Sequence, residues 1–312
     1  MTSVPSPISL RPLSIGELLD RAVTLFVKNF WVFCGLAAIV YVPLGLAQSL
    51  MGDFWLWYAD LLGKVFSSHG KPPAFPADSA MVQRMNAVST LEFLIWIVGA
   101  PLAAAALAHA ADRLIVGAQT SFAESLRFGL RRWGSVLLYL LLWVVLMGAA
   151  FIVGYLALLV LALMTAALLR SIALLVGLGV LILVAWIGGI LLTFVAGGVG
   201  FATLIVEPLN PARAFAAGLE RAINRGSLWR SVLIGLVYGA ISLGFTIVAY
   251  AAGLSLLFAL HTGIPMILIA AVVSIVEFGF SVLIIVLYYY DLRARREGVD
   301  LVSLASQVAA AQ

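Results

Sequence analysis

The sequence predicts an all-α integral membrane protein with six transmembrane helices, built as three repeats of an interfacial amphipathic helix followed by a transmembrane hairpin. Three observations carry this. Of 312 residues, 64% are hydrophobic and only 10% charged, more apolar side chain than the interior of a soluble fold can hide. Six apolar blocks each exceed the ~20 residues that a helix needs to cross a hydrocarbon core. One arrangement also recurs three times: a short basic helix with an apolar row at i, i+4, i+8, then a tryptophan, then a long apolar stretch.

The first unit opens at Ser14-Ile15-Gly16-Glu17, where Ser14 and Glu17 form a capping box. Its apolar row is Ile15, Leu19 and Val23, its polar face carries Arg21 and Lys28, and Trp31 closes it. The first apolar block runs from Phe30 to Met51 and holds Cys34, the only cysteine, a small packing residue with no partner for a disulfide or a thiolate metal site. One sizeable connecting segment follows, Gly52 to Ala87. Phe54, Trp55, Trp57 and Tyr58 suit a membrane interface. Lys71-Pro72-Pro73-Ala74-Phe75-Pro76 lacks the donors and the dihedral freedom for a helix. The segment reads as a surface connector or as a docking or gating loop. Val88 to Val116 is the second span.

The second unit repeats the cap as Ser121-Phe122-Ala123-Glu124, with the row Phe122, Leu126 and Leu130, the basic residues Arg127 and Arg131, and Trp133. Its spans, Gly134 to Leu169 and Ile172 to Val206, are separated only by Arg170 and Ser171. They read as a tight hairpin whose arms are tilted, kinked or prolonged; splitting them near Gly148 and Gly188-Gly189 gives an eight-span alternative. In the third unit Asn210 caps a helix with Pro211 at its first position. Phe215, Leu219 and Ile223 form the row, Arg213, Arg221 and Arg225 the basic face, and Trp229 the close. Ser231 to Leu260 and Ile264 to Tyr290 are the last two spans. The units, about 14–116, 121–206 and 211–290, form one membrane domain over 1–312, with a tail from 291 to 312.

Orientation follows from the basic residues. Six spans with a cytoplasmic N-terminus place 14 of the 18 Lys and Arg inside, leaving Lys64, Lys71, Arg84 and Arg170 outside. The polar, amphipathic first residues do not read as a signal peptide. A net charge of +4 is too small and too dispersed for a nucleic-acid partner.

The informative intramembrane residue is Glu277, near the middle of the last block, because a carboxyl at that depth must face protein or water. Ser274, Ser281 and Tyr288 share its helix face. On the preceding span Tyr238, Ser242 and Thr246 form a matching stripe beside the Gly235/Gly239 pair, whose spacing lets helices approach closely. The two stripes are expected to pack together. With no Lys or Arg at that depth, Glu277 is expected to be hydrogen-bonded rather than ion-paired, either as structural glue or as a proton or substrate site. Near the inner span ends, His109, Asp112 and Arg113 share one face, and Glu207 precedes Pro208; an ion network joining Glu207 or Asp112 to the basic helices is expected. Those helices serve as topology determinants or bind anionic headgroups through Arg21, Lys28, Arg127, Arg131, Arg213, Arg221 and Arg225. No P-loop, GxSxG elbow or HExxH is present, and the three histidines, His69, His109 and His261, fall on both sides of the membrane. Neither a metal nor a cofactor is expected. Gly188, Gly189, Gly197, Gly198 and Gly200 sit within an apolar helix as packing residues.

Three segments bear a likeness to one family. Arg11-Pro12-Leu13-Ser14-Ile15-Gly16-Glu17-Leu18-Leu19-Asp20-Arg21-Ala22, with Asn29-Phe30-Trp31 after it, resembles the start of bacterial proteins related to the membrane domain that accompanies some glycerophosphoryl diester phosphodiesterases. The stretch from Ala202 through Glu207 and Pro208 to Gly226, Leu228, Trp229 and Arg230 resembles that family's inner loop, with Glu220-Arg221-Ala222-Ile223 where an Arg-Ser pair is common. Tyr289-Tyr290-Asp291-Leu292-Arg293-Ala294-Arg295-Arg296-Glu297-Gly298-Val299-Asp300-Leu301 resembles its C-terminal signature. The resemblance spans essentially the whole chain. The phosphodiesterase barrel with its catalytic His and Glu residues has no counterpart here, so the resemblance implies a membrane domain without that activity.

The expected function is that of a bacterial plasma-membrane protein that is not an enzyme. It would organise or handle lipid, with membrane lipids and a protein partner or second copy as its contacts. The alternative is a small proton-coupled transporter or a lipid transporter that uses Glu277.

Overall fold

The computed structural model describes residues 12–51, 56, 60, 61, 64, 79–168, 172–224 and 226–310. The aromatic and proline-rich parts of the connecting segment, the Arg170-Ser171 link and Arg225 lie outside the described residues. Within them the chain forms α1 (Ile15–Lys28), α2 (Phe30–Ser49), α3 (Ser79–Ile115), α4 (Phe122–Leu168), α5 (Ile172–Val206), α6 (Pro211–Ile223), α7 (Leu228–Leu260) and α8 (Ile264–Ala310), with no strand among the described residues. Six of these, α2, α3, α4, α5, α7 and α8, are long and apolar enough to cross a membrane. Helices α4 and α5 run unbroken through Gly148 and Gly188-Gly189, which removes the eight-span alternative.

Local chemistry sets the helix boundaries. Ser14 and Glu17 complete the capping box of α1: Ser14 Oγ accepts from the Glu17 amide at 3.2 Å and Glu17 Oε2 from the Ser14 amide at 2.7 Å. Asn29 ends α1 by donating its backbone N–H to Leu25 and Phe26 and its side-chain amide to the Leu25 carbonyl. Asn210 caps α6 by accepting from the Arg213 amide at 2.8 Å, with Pro211 in the first turn. At the end of α3, Ala118 N–H reaches the Arg113 carbonyl and Gly117 N–H the Leu114 carbonyl. This is a Schellman motif whose left-handed position, φ +81°, is filled by glycine.

The repeat differs from expectation in the second unit. Its amphipathic segment is not a separate interfacial helix but the first turns of the continuous α4. The first and third units break at Asn29 and across Asn224–Ser227. At the same place the second unit has Arg131-Arg132-Trp133-Gly134, good helix formers with one glycine, too weak a breaker to interrupt packed helix. The face that enters the bundle is a different one from the apolar row, which is expected to meet lipid or the span ends. Leu18 and Ala22, Ser125 and Gly129, and Gly218 and Ala222 are the equivalent buried pairs, three positions on from the start of the expected row. That row lies partly at the rim, with Val23 50%, Leu130 61% and Ile223 41% exposed, whereas Ile15, Leu19, Leu126 and Phe215 pack against the core.

Helix α8 is the centre of the bundle and packs against α1, α2, α3, α5 and α7. Its stretch from Ser281 to Leu292 is buried except at Ile285. Helices pass closely where glycine removes a side chain. A Cβ at Gly218 would strike the backbone of Gly200, so α5 and α6 cross almost in backbone contact, and Gly198 receives Ile285 of α8. Between α4 and α5 the indole of Trp143 fills a notch at Gly197 and that of Trp186 a notch at Gly154. Both pairs are symmetric about position 170, the register of an antiparallel hairpin turning there. The Gly235/Gly239 pair, expected between the last two spans, does not serve there. Gly235 faces Val195 and Leu191 of α5, and a Cβ at Gly239 would meet nothing within 4 Å.

Gly218→Val should therefore destabilise the protein by ~1–3 kcal/mol, the usual range for overpacking, and Gly239→Val by less than ~0.5 kcal/mol. Thermal unfolding in detergent reads both, and equal effects would contradict the assigned crossing.

Candidate functional site

Two polar sites are built into this frame, one in mid-span and one at the end of the bundle that carries Leu13 and Arg295, here called the basic end. In mid-span, Ser242 of α7 donates a hydrogen bond to Glu277 Oε1 of α8, and Tyr238 faces Ser281 across the same contact. Tyr41 of α2 is near enough to interact electrostatically with Glu277. The two stripes thus meet, but the contact is not closed. Glu277, Ser274 and Thr246 line a cavity of about 200 Å³ together with Gln48 of α2, Tyr250 and Met266. It extends from Met266, beside the α7–α8 turn, to Glu277, which lies ~16 Å deeper along the helix. The turn itself is made by His261 in a left-handed conformation, φ 52°. A half-buried carboxyl lined by hydroxyls and an amide can exchange a proton or hydrogen-bond a polar group that enters from the far end. Tyr288, placed by helical spacing on the Glu277 face, serves the other site.

At the basic end, four consecutive residues of α8 reach four different elements, because successive side chains point about 100° apart round a helix. The Tyr288 hydroxyl pairs with Ser231 of α7 at 2.8 Å, and Ser231 also bonds the Ala222 carbonyl of α6. Tyr289 donates to Glu207 Oε1 after α5 at 2.6 Å, and Tyr290 to Asp112 Oδ1 of α3 at 2.5 Å. Asp291, whose side chain is 0% exposed, accepts the Leu13 amide at 2.7 Å on Oδ1, and Arg230 Nε at 2.8 Å and Arg295 Nε at 3.1 Å on Oδ2. Both arginines also donate to the Leu13 carbonyl. The Leu13 peptide is thus held at both its donor and its acceptor.

The expected ion network is present in pieces. Glu207 pairs with Arg221 at 2.7 Å; Arg221 also donates to Thr203 and lies over the Tyr289 ring, 5.4 Å from its centroid. Asp112 goes to Tyr290, whereas its neighbours His109 and Arg113 turn to Glu124 at 3.9 and 3.8 Å, with His109 stacked on Phe128. Of the residues expected to meet headgroups, Lys28, Arg127, Arg131 and Arg213 are exposed and Arg21 half-buried. Arg221 does not belong with them: it is drawn inward by Glu207. On the surface of α6, Arg296 binds Glu220 at 2.7 Å. That hydrogen bond and the charge of Arg296 hold the carboxyl below the usual carboxylate range. Among the described residues no three His, Cys, Asp or Glu side chains converge to hold a metal ion.

Sequence reasoning missed Asp291 and its partners. The available signal was three tyrosines and an aspartate ending an apolar run on every side of the helix, which no one-sided amphipathic pattern explains. No family model matches the chain, and neither a curated protein nor a solved structure matches it. The segment at Leu13, the loop at Glu207 and Arg230, and the stretch from Tyr289 to Arg295 meet at this end of the bundle.

Asp291→Asn keeps the shape but leaves the inward guanidinium of Arg230 without its counter-charge. It should lower stability by ~3 kcal/mol or more, as for other broken buried pairs, while Glu220→Gln should leave the thermal midpoint unchanged. A thermal midpoint for Asp291→Asn equal to that of the unaltered protein would refute the weight given to this contact.

Proposed function

We propose that this chain is a non-catalytic plasma-membrane protein of bacterial type that associates with anionic lipid headgroups, with both termini in the cytoplasm. The observation that carries the reading is the rim of the basic end. Exposed large apolar residues, Val23, Phe122, Leu130, Leu219 and Ile223, stand beside exposed Lys28, Arg127, Arg131 and Arg213. Apolar groups toward acyl chains and cations toward phosphates is the arrangement of an interfacial surface, where each basic residue is worth ~1 kcal/mol against an anionic leaflet. The polar side chains at that end are engaged mainly with one another, which suits anchoring better than catalysis. The resemblance to the membrane domain of the phosphodiesterase family favours the same class.

In nanodiscs, phosphatidylglycerol should raise the thermal midpoint over phosphatidylcholine, and the triple variant Arg127→Gln, Arg131→Gln, Arg213→Gln should lose most of that difference. Equal midpoints in the two lipids would sink the rim reading. For orientation, in a Cys34→Ser background Ser303→Cys should react with an impermeant reagent only from the cytoplasmic side and Ser68→Cys only from outside.

A second reading is favoured by the Glu277 cavity: a small proton-coupled transporter loaded from the far end. Purified protein in vesicles should then pass protons measurably with a pH-sensitive dye inside, and Glu277→Gln should abolish the flux. Absence of flux in the unaltered protein counts against transport.

A further inference from the structure

A second cavity, about 390 Å³, opens at the basic end between the α6–α7 connection and the last buried turn of α8. Arg221, Arg295 and Arg296 line it together with Asn224, Gly226 and Ser227. Among the described residues its charged lining is arginine; the carboxylates that pair with these arginines, Glu207, Asp291 and Glu220, are not part of the wall. Each guanidinium has five N–H donors in a planar fork matched to phosphate oxygens. Arg296 gives one to Glu220, and Arg295 gives two to Asp291 and Leu13, so the bonds that anchor them leave donors for another acceptor.

Helix α7, 33 residues long, starts at this wall. Its cap residue Ser227 makes no side-chain bond to the first-turn amides, because its hydroxyl is turned to the carbonyls of Arg221 and Asn224. No acid occupies that first turn. The amides of Ser227 and Leu228 are bonded to the Asn224 carbonyl, so the helix adds the positive end of its dipole, not its first backbone donors, to the three arginines.

We propose that this cavity binds a phosphate group, either the headgroup phosphate of an anionic lipid or free phosphate. Arg295 and Arg296 supply the charge and the donors, and Asn224, Gly226 and Ser227 the wall. Only the lipid case rests on the lipid-associated reading above; free phosphate would bind whether or not the rim engages lipid.

The test uses the full chain, delipidated in neutral detergent, titrated by calorimetry with inorganic phosphate, short-chain phosphatidylglycerol and short-chain diacylglycerol at constant ionic strength. Phosphatidylglycerol is expected to bind and diacylglycerol not to. Binding of inorganic phosphate as well identifies a site reached from solution, and its absence a headgroup site. Arg296→Gln should weaken binding about tenfold or more. Gly226→Leu should do the same by filling the cavity, since a Cβ there meets nothing within 4 Å; its midpoint without ligand reports that it still folds. No binding of either phosphate probe, or unchanged affinity in both variants, overturns the proposal. The Arg127, Arg131 and Arg213 triple variant should bind inorganic phosphate or phosphatidylglycerol as the unaltered protein does, so failure of the rim and failure of the cavity are separate results.

Discussion

A carboxylate withdrawn from solvent must find its hydrogen bonds in the protein, since an unpaired buried charge is among the largest penalties a fold can carry. Asp291 meets that demand with the Leu13 amide, Arg230 and Arg295. The consequence spreads outward. Arg230 fixes the start of α7 against α8, Leu13 fixes the segment leading into α1, and Arg295 closes the pair from the next turn of the same helix. Because Tyr288, Tyr289 and Tyr290 occupy the neighbouring directions, α3, α7 and the segments after α5 and before α1 are each tied to α8 by at least one directional bond. In lipid the hydrophobic effect gives helices little reason to prefer one another, so directional bonds and backbone-close crossings such as Gly200/Gly218 supply the selectivity.

The pattern of apolar residues shows which segments are helical and which are spans, and it locates the meeting of Glu277 with Ser242. It does not show which face of a helix enters the protein. In a membrane both faces are apolar, so the large row Ile15, Leu19, Val23 is no better a guide to the interior than Leu18 and Ala22. The buried row in α4 and α6, Ser125 and Gly129, and Gly218 and Ala222, is small rather than greasy. Size, not hydropathy, is the signal there. The Gly235/Gly239 spacing shows the opposite limit: a close-approach motif identifies a permissive surface without naming the neighbour that uses it. Arg221 is a similar case, basic and correctly placed for an interface yet claimed by a nearer acid, Glu207, that the helical period alone cannot reveal.

Helix α7 joins two sites of different character. Toward the far end it offers Ser242 and Thr246 to a carboxyl that borders open volume; toward the basic end it offers Ser231 and Arg230 to groups that are sealed. The α4–α5 hairpin joins the basic-end site through Thr203 and Glu207 at its inner end. It is held to itself by the reciprocal Trp143/Gly197 and Trp186/Gly154 notches, and its 47-residue first arm, ~70 Å long at helical rise, outreaches a ~30 Å hydrocarbon core.

The strap at Leu13 has a consequence for how the protein is made. The residues that grip it, Arg230, Asp291 and Arg295, are synthesised 217 to 282 positions after Leu13 itself. Until they arrive, the leading segment has lost the partners that satisfy its backbone, and the early spans must wait in the bilayer as an open assembly. Helix α8 acts as a keystone in time as well as in space. A nascent chain truncated before it would leave the Leu13 strap unlatched and open to quality-control proteases.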